Sequence, residues 1–293
     1  MGDWVEVVVH VGAADVDDIA ALIASEISYA SAGTEQRGDE VVFWVDRADS
    51  AAALIATSEA VARWQANGAS VSPQRVKLSE ALPEEQWRDA WKKYFKVTRI
   101  TRQFVVVPSW ERHVAHDSEV VIDLDPGMAF GTGTHASTRL VMEELQELAD
   151  AEVSPSRVLD VGCGSGILAI AAVKRWPEAT CLALDNDPLC IDATLDNAST
   201  NRVADRIAAE LTPVGELTEE FPLVLANIQA HVLRALMPAL VARLAPGGTL
   251  ILSGLLTPQA QPLADEFVAA GLRLVRVRPS ADDPQWSSVT LRR

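Results

Sequence analysis

Residues 156–174 read Ser-Arg-Val-Leu-Asp-Val-Gly-Cys-Gly-Ser-Gly-Ile-Leu-Ala-Ile-Ala-Ala-Val-Lys, and this stretch decides the fold. Val158 and Leu159 form a short apolar run that ends at Asp160, glycines follow at 162, 164 and 166, and Ile167 to Lys174 has the composition of a buried helix. The order is strand, glycine turn, helix.

Glycines at alternate positions let the chain turn sharply and bring backbone N–H groups close to a ligand that a Cβ would strike. A dinucleotide turn spaces its glycines G-x-G-x-x-G and seats a pyrophosphate on the helix N-terminus. Here the third glycine falls at 166 and position 167 is Ile. Asp160 would repel a pyrophosphate yet can accept hydrogen bonds from a cationic ligand. The pattern points to a nucleoside without phosphates, such as S-adenosyl-L-methionine.

The next apolar run, Cys181-Leu-Ala-Leu184, ends at Asp185. That is about 20 residues past the turn, where Rossmann-like folds place the carboxylate that accepts the ribose hydroxyls. Asp187-Pro188 reads as a helix cap followed by proline at the first helical position. Asp185 is therefore assigned to the ligand and Asp187 to the helix.

Composition sets the outer limits. The chain has 293 residues, enough for an α/β core and a smaller domain, and is 48% hydrophobic and 23% charged, as globular proteins are. A net charge of −16 sets the average surface against nucleic acid and in favour of a basic protein partner. No stretch approaches a transmembrane span, and the start lacks a signal-peptide pattern, so a cytoplasmic, non-membrane protein acting as a monomer is expected. Cysteines 163, 181 and 190 make no C-x-x-C pair, which argues against disulfides and a zinc site. His113, His116 and Asp117 lack the further ligand a metal would need, and His10 and His231 read as structural.

In the first 80 residues, Val5–Val11 reads as a strand and Asp15–Tyr29 as an amphipathic helix. Val41–Val45 is a second strand, Ser50–Gln65 a second helix and Arg75–Leu78 a last strand. One short strand hidden near the turn-rich segment 33–39 would complete βαββαβ, a small α+β ferredoxin-like unit. It carries no catalytic cluster, which suits recognition.

Pro83–Phe95 reads as a linker helix with Trp87 and Trp91 on one face, and basic residues from Arg88 to Arg102 cluster there, which suits a solvated helix face or a minor RNA contact. Phe104–Val107 and Glu119–Leu124 read as a hairpin-like strand pair. Next stands Asp125-Pro-Gly-Met-Ala-Phe-Gly-Thr-Gly-Thr-His135, then Ser137 and Thr138 as hydroxyls opening a helix that ends near Leu148. Leu223–Ala226 is a buried strand that delivers Asn227 to the crevice where open α/β sheets bind ligands.

Four motifs, Trp-Lys-Lys-Tyr-Phe-Lys (91–96), the segment 125–135, Asp-Val-Gly-Cys-Gly-Ser-Gly (160–166) and Ala-Asn-Ile (226–228), stand in an order that resembles the bacterial ribosomal protein L11 methyltransferases over essentially the whole chain. The resemblance implies an α/β class I (Rossmann-like) methyltransferase domain with a mostly parallel seven-stranded sheet, behind the ferredoxin-like domain. The boundaries expected are 1–80 for substrate recognition, 81–97 for the linker helix and 98–293 for the catalytic domain. It further implies S-adenosyl-L-methionine contacts at Thr138, Gly162, Asp185 and Asn227, with Phe130 nearby, and Gly164 and Gly166 complete the turn. Methylation of lysine side chains and an N-terminal α-amine of ribosomal protein L11 is the implied activity.

Asn227 is the expected catalytic residue, because an amide oxygen there can accept an amine N–H and aim its lone pair at the sulfonium methyl. Ile228, Gln229 and Ala230 offer no ring to stack on a planar base, which favours an aliphatic amine. Two positions depart from the family's habit: Phe221-Pro222-Leu223 opens the strand without an Asp, and Gln229 replaces an apolar residue. The rival readings are a lysine methyltransferase of the same build with another protein substrate, an RNA methylase using the basic linker, and a non-catalytic, cofactor-binding ribosome assembly factor.

Overall fold

The computed structural model describes residues 4–11, 16–30, 33–66, 71–80, 96–116, 118–125 and 135–293. The expected linker helix at 83–95 and the segment 126–134 with Phe130 lie outside these residues. The chain divides into two compact units, Met1–Lys93 and Tyr94–Arg293.

The small unit runs β1 (Trp4–Val11), α1 (Val16–Glu26), β2 (Glu35–Arg37), β3 (Glu40–Asp46), α2 (Ser50–Ala66), β4 (Val71–Glu80). The hidden strand is β2, closed onto β3 by a turn in which Gly38 takes φ +65°. Sheet order β2-β3-β1-β4 with antiparallel neighbours is the ferredoxin-like arrangement. Val7, Val9 and Val11 alternate onto one face with Val41, Phe43 and Val45, and pack with Ile19, Ile23 and Trp64 of the helices. Arg37 makes paired bonds to Glu6, at 3.1 and 3.0 Å, and lies 5.8 Å above the Trp44 ring. His10 pairs with Glu40 at 3.0 Å.

The large unit opens with a three-stranded sheet, β5 (Thr98–Arg99), β6 (Phe104–Val107) and β7 (Val120–Asp123), in which β6 and β7 run parallel. This corrects the hairpin expectation. Residues 108–119 cross over instead of turning back, held where His113 Nε2 lies 2.7 Å from Glu119 Oε2 and Arg99 pairs with the same carboxylate.

Then follow α3 (Ala136–Asp150), β8 (Arg157–Val161), α4 (Ile167–Arg175), β9 (Thr180–Leu184), α5 (Pro188–Thr200), β10 (Ile207–Glu210), β11 (Phe221–Asn227), α6 (Ala230–Arg243), β12 (Leu244–Leu256), α7 (Thr257–Ala269), β13 (Arg273–Pro279) and β14 (Trp286–Arg292). The seven-stranded order is β10-β9-β8-β11-β12-β14-β13. Neighbours are parallel from β10 to β12, and β14 runs antiparallel to both β12 and β13.

Both faces are covered, so the central strands are largely apolar. Val158, Leu223, Leu225 and Ile251 face the core shared with α3, α4 and α5, while Leu159, Val224, Leu250 and Leu252 face that of α6 and α7. Helix α4 is buried from Ile167 to Val173, and Lys174 leads its ammonium out to the Val121 carbonyl at 2.6 Å. β12 runs over Leu244–Leu256, with Pro246-Gly-Gly248 absorbed as a register shift opposite Phe221–Leu223. The chain departs from β8 toward β9 and β10 and later returns to β11 on the other side of β8. That reversal opens a crevice beyond the carboxyl ends of β8 and β11.

Candidate active site

The glycine turn follows β8 directly. Gly162 and Cys163 both donate N–H bonds to the Leu184 carbonyl, at 2.8 and 3.0 Å, which folds the turn against β9. Gly162, Gly164 and Gly166 take φ of +75°, +55° and +76°, the left-handed region that side chains disfavour. A Cβ on Gly162 would sit 2.4 Å from Ile228 Cγ2, and one on Gly166 would sit 2.8 Å from Thr194 Cγ2. The sequence reading placed that collision at a ligand, whereas at these two positions it is with the protein itself. Helix α5 secures the turn's carbonyls: Thr194 Oγ1 donates to Gly164 O at 3.1 Å and Asn197 Nδ2 to Ser165 O at 2.9 Å. Cys163 Sγ lies 3.3 Å from Thr194 Oγ1, and burial pushes its thiol up to about 12, so it is an inert packing group.

Asp185 stands half-buried just past β9. Its Oδ2 accepts the Gly164 N–H at 2.9 Å and its Oδ1 accepts the Asp187 N–H at 3.1 Å. Both bonds fix the carboxylate plane and leave each oxygen with further acceptor capacity. Asp187 caps α5 through the Leu189 N–H at 2.9 Å, with Pro188 opening the helix, as the sequence indicated.

Asp160 is fully buried beneath the turn, and its Oδ2 accepts the Ala169 N–H at 3.1 Å. Burial pushes its carboxyl up to about 7, against the pull of that N–H bond, and the Asp185 charge adds to the rise. It lies under the N-terminal turn of α4, and its Oδ1 has no hydrogen-bond partner among the described residues.

Across the crevice, β11 ends at Asn227. Its Nδ2 donates to Thr138 Oγ1 at 3.3 Å, and its Oδ1 is buried with no hydrogen-bond partner among the described residues. Thr138 is 1% exposed in the first turn of α3. The cap of that helix is His135, which the sequence reading did not single out: Ser137 donates its N–H to His135 Nδ1 at 3.2 Å, and Ser137 Oγ lies 2.8 Å from the same nitrogen. The ring stands edge-on to Trp286 at 4.6 Å, and burial lowers its pKa while Asp283 opposes the shift.

The turn at 162–166, Asp185, Thr138 and Asn227 thus gather at the carboxyl ends of β8, β9 and β11. Phe130 lies outside the described residues. Among those residues no group of three or more His, Cys, Asp or Glu could hold a metal ion, and no helix is long and apolar enough to cross a membrane.

A carboxylate at Asp185 suits a vicinal diol and disfavours a pyrophosphate, and a buried amide oxygen without a donor suits a ligand that brings an N–H. The set fits S-adenosylmethionine with an amine acceptor. Comparison with known proteins agrees, since the sequence profile of the family described as ribosomal protein L11 methyltransferase (PrmA) matches residues 3–293. The chain belongs to that family. A ribosomal protein L11 methyltransferase of Sorangium cellulosum is 39% identical over 285 residues, covering 95% of this chain and 88% of the relative. One of Syntrophotalea carbinolica is 47% identical over 188 residues, covering 64% of this chain and 61% of that relative's length. The crystal structure of a ribosomal protein L11 methylase from Lactobacillus delbrueckii subsp. bulgaricus superposes with a TM-score of 0.59 at 31% identity, over 68% of this chain and 97% of that one. The L11 methyltransferase family is thus seen here with its mostly parallel seven-stranded sheet.

Proposed function

We propose that this chain methylates amines of ribosomal protein L11, at lysine side chains and the N-terminal α-amine, using S-adenosylmethionine. The observation that carries the reading is the buried, unpartnered Oδ1 of Asn227 beside Thr138. When bound, the cofactor supplies a methyl group already activated on sulfonium.

The residues then divide the work. The turn at Gly162, Gly164 and Gly166 brings backbone to the cofactor, the Asp185 carboxylate takes the ribose hydroxyls, and Thr138 is assigned a further cofactor contact. Asn227 Oδ1 accepts an N–H of the incoming amine and so points its lone pair along the line of displacement. Holding the two reactants in that line can supply up to roughly 7–11 kcal/mol of the barrier reduction. The amine must be neutral first. A free lysine of pKa ~10.4 is neutral in only about one molecule in a few thousand at pH 7, while an α-amine near ~8 is neutral in about one in ten. Desolvation in the crevice lowers the lysine value and raises its reactive fraction.

The small ferredoxin-like unit is assigned to substrate recognition and residues 81–97 to the link between units. A net charge of −16 draws a basic ribosomal protein and repels free RNA. The protein is assigned to the cytoplasm, where ribosomal proteins are made, and works as a monomer. Incubation with methyl-labelled cofactor and separated ribosomal components tests the assignment. Label on L11, located by mass analysis on lysine and α-amine nitrogens, is expected. Label on RNA or on another protein, or cofactor bound with nothing labelled, would replace it.

A further inference from the structure

β12 is apolar where it crosses the core, with Leu250, Ile251, Leu252 and Leu255 all fully buried, yet it carries Ser253 at the same depth. A buried hydroxyl in such a run needs a partner. Ser253 Oγ donates to the Ser137 carbonyl at 2.9 Å, in the first turn of α3. Carbonyl oxygens have two lone pairs, so this bond adds to helix bonding and does not replace it.

The position matters because Ser253 is the register partner of Asn227 in the parallel β11–β12 pair. Ser137 precedes Thr138, and Thr138 holds the Asn227 amide. The bonds close a ring: Asn227 to Ser253 through the sheet, Ser253 to Ser137, Ser137 to Thr138 along the chain, and Thr138 back to Asn227. The next residue admits no slack. Gly254 takes φ +78°, and a Cβ there would lie 2.7 Å from the Ile228 carbonyl oxygen, so β12 and the segment after Asn227 touch backbone to backbone.

We propose that Ser253 is a positioning residue for methyl transfer: by tying the first turn of α3 to the end of β12, its hydroxyl fixes Thr138 and thereby aims Asn227 Oδ1 at the acceptor amine. This rests on the functional reading above. Ser253 touches neither reactant, and because it acts through Thr138, itself assigned to the cofactor, a small change in cofactor affinity accompanies a larger loss of turnover. A serine that merely fills its place would show the reverse pattern, a change in stability with kcat intact.

The test compares wild type with Ser253→Ala and Ser253→Thr in full-length protein, measuring kcat on L11, the Kd of S-adenosylhomocysteine and Tm. The NMR signal of the Asn227 side-chain amide, assigned by its loss in Asn227→Ala, is followed in parallel. Expected for Ser253→Ala is a fall in kcat of about tenfold or more, the scale set by sub-ångström misplacement of a reacting group, with cofactor Kd within about threefold and a shifted amide signal. Ser253→Thr, which keeps the hydroxyl, returns both the signal and kcat toward wild type. Wild-type kcat in Ser253→Ala, an unmoved amide signal, or a kcat loss matched by equal losses of cofactor affinity and Tm would overturn the proposal. A moved signal in a protein whose wild type labels nothing would keep the coupling and remove the methyltransferase reading instead.

Discussion

Asn227 donates an amide N–H to the Thr138 hydroxyl, 3.3 Å away, and keeps its carbonyl oxygen buried with no donor among the described residues. A buried acceptor left without a hydrogen bond costs about 1–3 kcal/mol. The arrangement is intelligible where a substrate N–H supplies the missing bond, and the family's chemistry brings one.

Under the proposed function, Asp185 is the residue expected to set cofactor affinity. Its carboxylate is aligned by the N–H groups of Gly164 and Asp187 before any ligand arrives. Two charge-assisted bonds to a diol are worth roughly 1.5–3 kcal/mol each before mutual offsets. Asp185→Ala is expected to weaken S-adenosylhomocysteine binding about a hundredfold in calorimetry, and Asp185→Asn by less. Unchanged affinity would place the ribose elsewhere.

Gly162 tests the turn itself. Gly162→Ala combines a left-handed φ of +75° with an overlap at Ile228, whereas Gly38→Ala at φ +65° meets nothing within 4 Å. The left-handed conformation costs roughly 1–2 kcal/mol, and overpacking adds about 1–3. Urea unfolding should show the larger loss for Gly162→Ala. Equal losses would mean that Ile228 yields freely.

Asp160 makes a pH signature. Its folded-state pKa of about 7 lies above the ordinary carboxylate value of 3.8, so the folded protein holds a proton that the unfolded chain releases. Its contribution favours folding below pH ~4 and is lost as pH rises through about 7. Asp160→Asn does not titrate, so its stability relative to wild type should climb between pH 4 and 7 and then level off. A gap independent of pH would refute the burial argument.

Glu119 gives the opposite slope. The Arg99 guanidinium first, then the His113 ring and the His116 N–H, hold its carboxyl down at about 2. That stabilisation is present above pH ~4.5 and is lost as pH falls toward 2. In urea titrations wild type should exceed Glu119→Gln by a constant margin above pH 5, and the two should converge near pH 2. Convergence at neutral pH would show the cluster to be idle.

Legibility in the sequence followed the strength of local constraint. The glycine turn, Asp185 and the Asp187-Pro188 cap were readable because left-handed backbone, strand-end acids and helix caps each demand a narrow set of residues at fixed offsets. Leu223–Ala226 was readable because a strand buried on both faces is an apolar run. The β6–β7 direction was not, since two apolar runs separated by a dozen residues satisfy a hairpin and a crossover alike. His135 escaped notice because histidine is not among the usual cap residues, yet its ring Nδ1 accepts the Ser137 N–H. Ser253 was likewise silent, for its partner lies far along the chain and only the sheet register brings Asn227 beside it.

The central claim is that Asn227 acts on the acceptor amine while Asp185 holds the cofactor, and the kinetics of Asn227→Ala on L11 test it most directly. Loss of one donor–acceptor bond formed in the transition state lowers kcat by about 10²–10³. The prediction is a kcat loss on that scale, with S-adenosylhomocysteine affinity within about threefold of wild type. A kcat within about threefold of wild type, or a loss of cofactor affinity as large as the loss of turnover, would contradict it.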